Sequence, residues 1–231
     1  MVLMTVLKKL NVSQVTAELN RPFAMVNLAF VGDIAVSVYV CQGMLNWHRH
    51  LDNDELFWVH GGTMLLESEW GEVRLRPGEL AVVPKGVAHR SGSELRTTVL
   101  LLHCGVAPER KNGKRRLYSI GDEAKLRRIN LQGAMRGVIW PFQFQTVARI
   151  DDSAVQVAWG EGAWSVEMPA PHDLLIFVLR GTATVRTSQS MMHLHPGDFT
   201  VVPHGALYQL STSRDTALVR VTREGVKREM E

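Results

Sequence analysis

The sequence predicts an all-β protein made of two similar units in tandem, each a β-sandwich or a jelly-roll barrel. Three observations predict it: short β-branched runs, Gly/Pro turns at regular spacing, and a long internal repeat. The repeat is the most informative. Arg74–His89 reads RLRPGELAVVPKGVAH and His193–Tyr208 reads HLHPGDFTVVPHGALY, an offset of 119 residues. Leu75, Pro77, Gly78, Val82, Val83, Pro84 and Gly86 recur as Leu194, Pro196, Gly197, Val201, Val202, Pro203 and Gly205. Gly62-Thr63 recurs as Gly181-Thr182 without a gap.

Taken in order, Ile34–Cys41 alternates and is β-branched. Leu56–Val59 and Thr63–Glu69 flank the hairpin signal Gly61-Gly62. Pro77-Gly78 turns the chain into Leu80–Val83, and Thr97–His103 closes the set. Ala154–Trp159, Leu174–Leu179, Thr182–Thr187, Phe199–Val202 and Ala217–Val221 repeat it. Strands this short between such turns belong to sandwiches and jelly rolls. Between the two sets, Pro108–Arg116 (PERKNGKRR) reads as an exposed basic loop. Gly121–Arg128 reads as a short helix, with acidic residues at its start and basic ones at its end. The expected boundary is near residue 115, giving domains 1–115 and 116–231.

Composition sets the outer limits. The 231 residues are 45% hydrophobic and 21% charged, which suits two domains with cores of their own and excludes disorder. A formal charge of +3, with no aromatics interleaved in the basic run, gives no sign of nucleic-acid binding. Two cysteines, Cys41 and Cys104, read as thiols of a reducing cytoplasm rather than a disulfide framework. Met1–Leu10 is too short an apolar run for a signal sequence, and no run reaches the ~20 residues of a membrane span. The expectation is a cytoplasmic protein with no membrane or nucleic-acid partner.

The chemistry concentrates in GMLNWHRHLDNDELFWVHGG, Gly43–Gly62. His48 and His50 stand two apart on an expected strand, so their side chains leave one face. Glu55 opens the next strand, with Phe57 and Val59 on its side and Leu56, Trp58 and His60 on the other. His89 follows the Pro84–Gly86 turn. Three inward imidazoles and a carboxylate without a cation would bury costly polar groups, so the set points to one divalent metal. Such donors suit iron, manganese, nickel, copper or zinc.

The spacing G-x4-HxH-x4-E-x5-G, then G-x5-P-x-G-x2-H, resembles the two motifs of the cupin superfamily. The residues that carry it are Gly43, His48, His50, Glu55, Gly61, Gly78, Pro84, Gly86 and His89. Ala17–His89, with WHRH and DELF, is similar to small single-domain metal-binding cupins. More distantly, HRHLDNDELFWVHGG resembles part of bacterial homogentisate-dioxygenase-like bicupins. One departure is Ser93, where the second motif often has Asn. The resemblance implies tandem double-stranded β-helix (jelly-roll) barrels, a metal held by His48, His50, Glu55 and His89, and pairing of barrels into a homodimer.

The offset of 119 carries those four positions onto Glu167, Pro169, Leu174 and Tyr208, which cannot reproduce the site. His193 and His195 form a second HxH, but they precede the Pro196-Gly197 turn and read as outward residues. Around the first site, Trp47, Phe57, Trp58 and Trp70 supply aromatic surface, and Phe57 is the expected pocket wall. Arg90 is a candidate for an anionic substrate or for a solvent-facing salt bridge. The chain shows no G-x-S-x-G elbow, P-loop, dinucleotide glycine fingerprint or Cys-x-x-Cys pair.

A metal that accepts about six ligands would keep about two positions for a small molecule. The first expectation is therefore a metal-dependent oxygenase of a small oxygenated or aromatic organic acid. Two alternatives remain open from sequence. One is a non-redox isomerase of a keto sugar or keto acid, with Glu55 or a bound hydroxide as catalytic base. The other is a non-enzymatic cupin that senses a small ligand or a metal.

Overall fold

A computed structural model describes residues 7–105 and 125–224, with the side chains of 165–168 left aside. The basic stretch 108–116, residue 115 and the first residues of Met1–Leu10 lie outside that description. Residues 125–128 are not helical, and the short helix of this region lies later, at Leu131–Met135. Lys125, Arg127 and Arg128 therefore do not close a helix, and residues 121–124 lie outside the described residues.

The chain forms two compact units. The first is Val12–Gly133; the second combines Met1–Asn11 with Ala134–Glu231. In order, β1 (Leu10–Asn11), α1 (Val12–Ala17), β2 (Val26–Val31), β3 (Ile34–Met44), β4 (Glu55–Gly61) and β5 (Met64–Ser68) come first. Then come β6 (Gly71–Leu75), β7 (Glu79–Val83), β8 (His89–Cys104), β9 (Ile129–Asn130) and α2 (Leu131–Met135). β10 (Gln145–Ile150), β11 (Ser153–Pro169), β12 (Leu174–Arg180), β13 (Ala183–Arg186), β14 (Met191–Leu194), β15 (Asp198–Val202) and β16 (Leu207–Arg223) complete the chain.

Apart from the strand expected to carry His48 and His50, the strands expected from sequence are present, and the sheets repeat each other. The first unit runs β2-β3-β8-β4-β7-β9, with β5 joining β6 and β8. The second runs β10-β11-β16-β12-β15-β1, with β13 joining β14 and β16. The outermost pairs obey the same offset: Ile129 pairs with Leu80 in the first unit, and Leu10 pairs with Phe199 in the second. Asn130 meets Glu79 and Asn11 meets Asp198 in matching side-chain hydrogen bonds. The repeat thus starts earlier than the turn motifs alone indicate.

Alternation decides the faces. In the first unit Tyr39, Cys41, Phe57, Val59, Val99 and Leu101 point into one apolar cluster. In the second, Leu174, Ile176, Val178, Tyr208, Leu210 and Leu218 do the same. Leu56 and Trp58, expected on the opposite face of β4, are on that face but fully buried, at 0% and 2% exposure. Two hairpin turns show why glycine is needed: Gly62 has φ +86 and Gly181 φ +81, and a Cβ would meet Thr97 or Thr216. Those threonines accept the amide hydrogens of Thr63 and Thr182, which locks each turn to the neighbouring strand.

Candidate metal centre

The site lies inside the first unit, where β4 and β8 are adjacent and the segment before β4 crosses the start of β8. His48 and His50 do not sit on a strand, as alternation suggested. His48 instead makes an isolated bridge opposite His89, through amide–carbonyl bonds of 3.0 and 2.9 Å. The reason is local. Gly43 has φ +88, and the chain leaves β3 one residue later, so the segment touches β8 at separate points, through the Leu45 amide to the Ser91 carbonyl and through this bridge, and does not run along it as a continuous strand. A local two-residue alternation survives, and both imidazoles reach the same interior point.

Other bonds hold the segment. The amide of Gly86 donates to the carbonyl of His50, and the amide of Lys85 donates to Asp54 Oδ1 at 2.9 Å. Arg49, between the histidines and buried, pairs with Glu69 at 3.5 Å. Asp173 receives the amide of His204 in the second unit just as Asp54 receives that of Lys85. Asp54 therefore belongs to the shared scaffold and not to the chemistry peculiar to the first unit.

One ligand atom from each of His48, His50, Glu55 and His89 lies within 4.8 Å of all the others, and all four residues are buried. Glu55 Oε2 stands 2.8 Å from His89 Nε2 and 3.2 Å from His50 Nε2. Donors about 2.1 Å from a shared ion sit about 3 Å apart when adjacent and about 4.2 Å apart when opposite. The cluster needs only small side-chain adjustments to meet that geometry.

Hydrogen bonding favours a cation at the centre. His48 Nδ1 lies 2.9 Å from the Asn46 carbonyl and His89 Nδ1 lies 3.1 Å from that of Val87. A carbonyl only accepts, so each Nδ1 carries a hydrogen and each ring turns Nε2 inward, where it can hold a proton or ligate a metal. A lone pair facing a carboxylate oxygen 2.8 Å away needs a proton or a metal between them. Both nitrogens of His50 are buried without a hydrogen bond, its 3.2 Å approach to Glu55 being poorly directed. The donor set therefore fits a divalent cation.

Burial by itself would raise the Glu55 carboxyl. The contacts and charges of His50 and His89 outweigh it and hold the group well below the usual carboxylate range. Glu55 is an anion wherever the protein is folded near neutrality.

A cavity of about 20 Å³ adjoins the cluster, bounded by Phe23, Met25, Tyr39, Leu45, Phe57 and Ser91 among others. It has room for about one water. The Tyr39 hydroxyl lies 3.4 Å from Ser91 Oγ, so two hydroxyls face the ligand side chains across an otherwise apolar space. Phe57 lines the cavity and packs edge-on against His89 at 5.7 Å. Arg90 does not line it. Its guanidinium is paired with Glu67 at 2.7 and 3.1 Å and lies over Trp47 at 5.1 Å, so the salt-bridge alternative describes its environment. Sequence reasoning missed Tyr39 and Ser91. Their signal was available: Tyr39 shares the inward face of β3 with Cys41, and Ser91 shares that of β8 with His89.

At the related place in the second unit, Leu174 and Tyr208 are buried in the apolar cluster and Pro169 is exposed. The side chain of Glu167 lies outside the described residues. His193 and His195 are exposed, and His193 bonds to Thr184 at 2.9 Å.

Comparison with known proteins agrees with this architecture. Residues 38–103 match a family model described as "Cupin domain", and residues 146–231 match another described as "Cupin". An uncharacterised Bacillus subtilis protein, YdbB, is 33% identical over 94 residues, covering 40% of this chain and 83% of that protein. Among solved structures, a "Cupin 2 conserved barrel domain protein" from Leptotrichia buccalis superposes with a TM-score of 0.71 at 10% identity. That match covers 97% of this chain and 100% of the other. A salicylate 1,2-dioxygenase from Pseudaminobacter salicylatoxidans gives 0.71 at 12% identity, covering 94% and 84%. A variant of that enzyme in complex with gentisate gives 0.73 at 11% identity, covering 94% and 82%. Likeness at such identities is likeness of fold.

Proposed function

Because the chain belongs to the cupin family, with two cupin domains in tandem, we propose that its first barrel is a single-metal centre and that the protein is a metal-dependent oxygenase of a small oxygenated or aromatic organic acid. The observation that carries this reading is the convergence of four buried donors, with His48 and His89 held so that Nε2 points inward. A bound divalent transition metal (iron, manganese, nickel, copper or zinc) would supply Lewis acidity and, as iron, a centre for oxygen activation.

The chain's own residues set the rest. The Asn46 and Val87 carbonyls fix the ring orientations of His48 and His89. Glu55, an anion with depressed basicity, suits the role of ligand better than that of general base. This speaks against Glu55 as the base of an isomerase and leaves bound hydroxide as the base of that alternative. Phe57, Phe23 and Leu101 limit water in the pocket, while the Tyr39 and Ser91 hydroxyls can meet one substrate oxygen. At about 20 Å³ the cavity is far smaller than the roughly 300 Å³ of ordinary ligand pockets. An aromatic substrate therefore requires Met25, 37% exposed, or Leu45 to swing aside. The gentisate held by a structural neighbour supports the substrate class.

The test is oxygen consumption by iron-reconstituted protein against a panel of dihydroxybenzoates, salicylate and keto acids, in air and under nitrogen. Oxygen-dependent turnover that disappears in His50→Ala supports the proposal. Turnover that proceeds equally under nitrogen refutes the oxygenase reading.

A further inference from the structure

Among the described residues the second barrel has no metal set, yet the place corresponding to the first pocket is not filled by hydrocarbon alone. At the offset of 119, Leu101 is replaced by Arg220, Ser37 by Gln156, Met25 by Phe144, Leu45 by Trp164 and His89 by Tyr208. Arg220 stands in register between Gln156 on β11 and Ile176 on β12. It shares a face of β16 with Leu218, a member of the interior cluster. A cation has been placed inside an apolar barrel.

Its orientation is fixed from two sides. Arg220 Nε donates to Gln156 Oε1 at 2.8 Å, and the guanidinium lies over the Phe144 ring at 3.8 Å. Gln156 is held in turn: its Nε2 donates to Thr146 Oγ1 at 3.1 Å, and that hydroxyl donates to Glu224 at 2.8 Å. Glu224 is neutralised by Arg149 at 2.6 Å and makes no ion pair with Arg220. Among the described residues no carboxylate pairs with Arg220, whereas Arg149, Arg214 and Arg223 of the same unit each have one. The hydroxyl of Tyr208 likewise has no hydrogen bond among the described residues. Burial lowers the Arg220 pKa and raises that of Tyr208, while each group's charge offsets part of the other's shift, which places the two in one environment. Trp164 stacks on Phe142 at 5.7 Å with rings 1° from parallel, and it also contacts Phe144 at 5.7 Å.

We propose that the second barrel is a binding site for a small carboxylate with an apolar or aromatic body, recognised by Arg220 and Tyr208 against the Phe144–Trp164 wall. With Nε engaged and one face on Phe144, the two terminal nitrogens present a fork that matches both oxygens of a carboxylate. The Tyr208 hydroxyl supplies another donor, and the aromatic wall takes the apolar body. Arg220, Phe144 and Trp164 are each half-buried, so solvent and a ligand can reach the fork. A half-desolvated cation without an anion costs free energy that such a ligand recovers. This site uses none of the first barrel's ligands and does not depend on the oxygenase reading.

The experiment is calorimetric titration of the full chain, stripped of metal by chelator, with benzoate and with its neutral analogue benzamide. We expect one benzoate per chain and benzamide binding at least about tenfold weaker. Arg220→Leu installs the residue type found at Leu101, and circular dichroism checks that it folds. It should lose benzoate binding by at least about tenfold. Arg220→Lys keeps the charge without the fork and should fall between the two, and Tyr208→Phe should weaken binding severalfold. Undiminished benzoate binding in folded Arg220→Leu would overturn the proposal, as would the absence of benzoate binding to the wild-type chain. Equal binding of benzamide would overturn it as well.

Discussion

His50→Ala and His89→Ala, compared in metal-free protein, separate what each histidine does for the fold from what it does for a cation. His50 is 6% exposed and both of its ring nitrogens lack a hydrogen bond. Two such groups leave about 1–3 kcal/mol each uncompensated. Removing the ring relieves that cost and opens a cavity that costs about 2–4 kcal/mol. The net change in metal-free stability should be about 2 kcal/mol or less. His89 differs, because it bonds the Val87 carbonyl and stands 2.8 Å from Glu55 Oε2. Its removal strands a buried carboxylate and should cost about 3–5 kcal/mol. Metal reverses the ranking of His50. A cation at a hundred times its dissociation constant stabilises the wild type by about 2.7 kcal/mol, or roughly 5–10 °C in Tm for a chain of this size. His50→Ala should lose that increment while its Tm without metal falls by no more than about 4–8 °C. Chemical denaturation and thermal melts with and without added iron(II), manganese and zinc make the measurement. A His50→Ala protein that keeps the full metal-dependent shift would refute the reasoning, and so would one that falls by much more than His89→Ala before metal is added.

Three further outcomes follow from particular contacts. Glu55 has a folded-state pKa below its unfolded value of about 4.3, so its contribution is complete above that value and is lost as pH falls through the folded one. The stability advantage of metal-free wild type over Glu55→Gln should therefore shrink steadily below about pH 4, and parallel acid-denaturation curves would contradict this. Burial pushes the Cys41 thiol up to about 12, while Cys104 is only half-buried. A thiol reagent at pH 8 should label Cys104 in the native protein and both cysteines after unfolding, with mass spectrometry identifying the site. Gly62→Ala and Gly181→Ala drive a Cβ into Thr97 Oγ1 and Thr216 Oγ1, at φ +86 and +81. Each should cost about 2–5 kcal/mol by urea denaturation, and a neutral result at either turn would contradict the strain.

Much of this was legible before any coordinates. Leu75, Pro77, Gly78, Pro84 and Gly86 recur at 119, and backbone turns constrain such residues tightly enough to survive where side-chain chemistry changes. That made the barrels and the four converging side chains readable from spacing. The segment holding His48 and His50 was harder. A strand and a single bridge present alternate residues in the same way, so the pattern Trp47-His48-Arg49-His50 could not distinguish them. The short strands Leu10–Asn11 and Ile129–Asn130 carry no period of their own, and their one signal was the recurrence of Asn11 as Asn130 at the same offset. Leu56 and Trp58 were rightly placed on the face of β4 opposite Glu55, but alternation says which way a side chain points and not whether that face is covered. Arg220 was overlooked for a related reason. Only the ligand positions were carried across the repeat, and its counterpart Leu101 is an ordinary core residue.

The most direct test of the central claim is elemental analysis of the purified full chain after reconstitution and desalting, run beside His48→Ala, His50→Ala, Glu55→Ala and His89→Ala. The account predicts one divalent metal ion per wild-type chain and a loss of most of it in each variant that remains folded. Wild-type protein that retains no metal, or variants that retain a full equivalent, would contradict it.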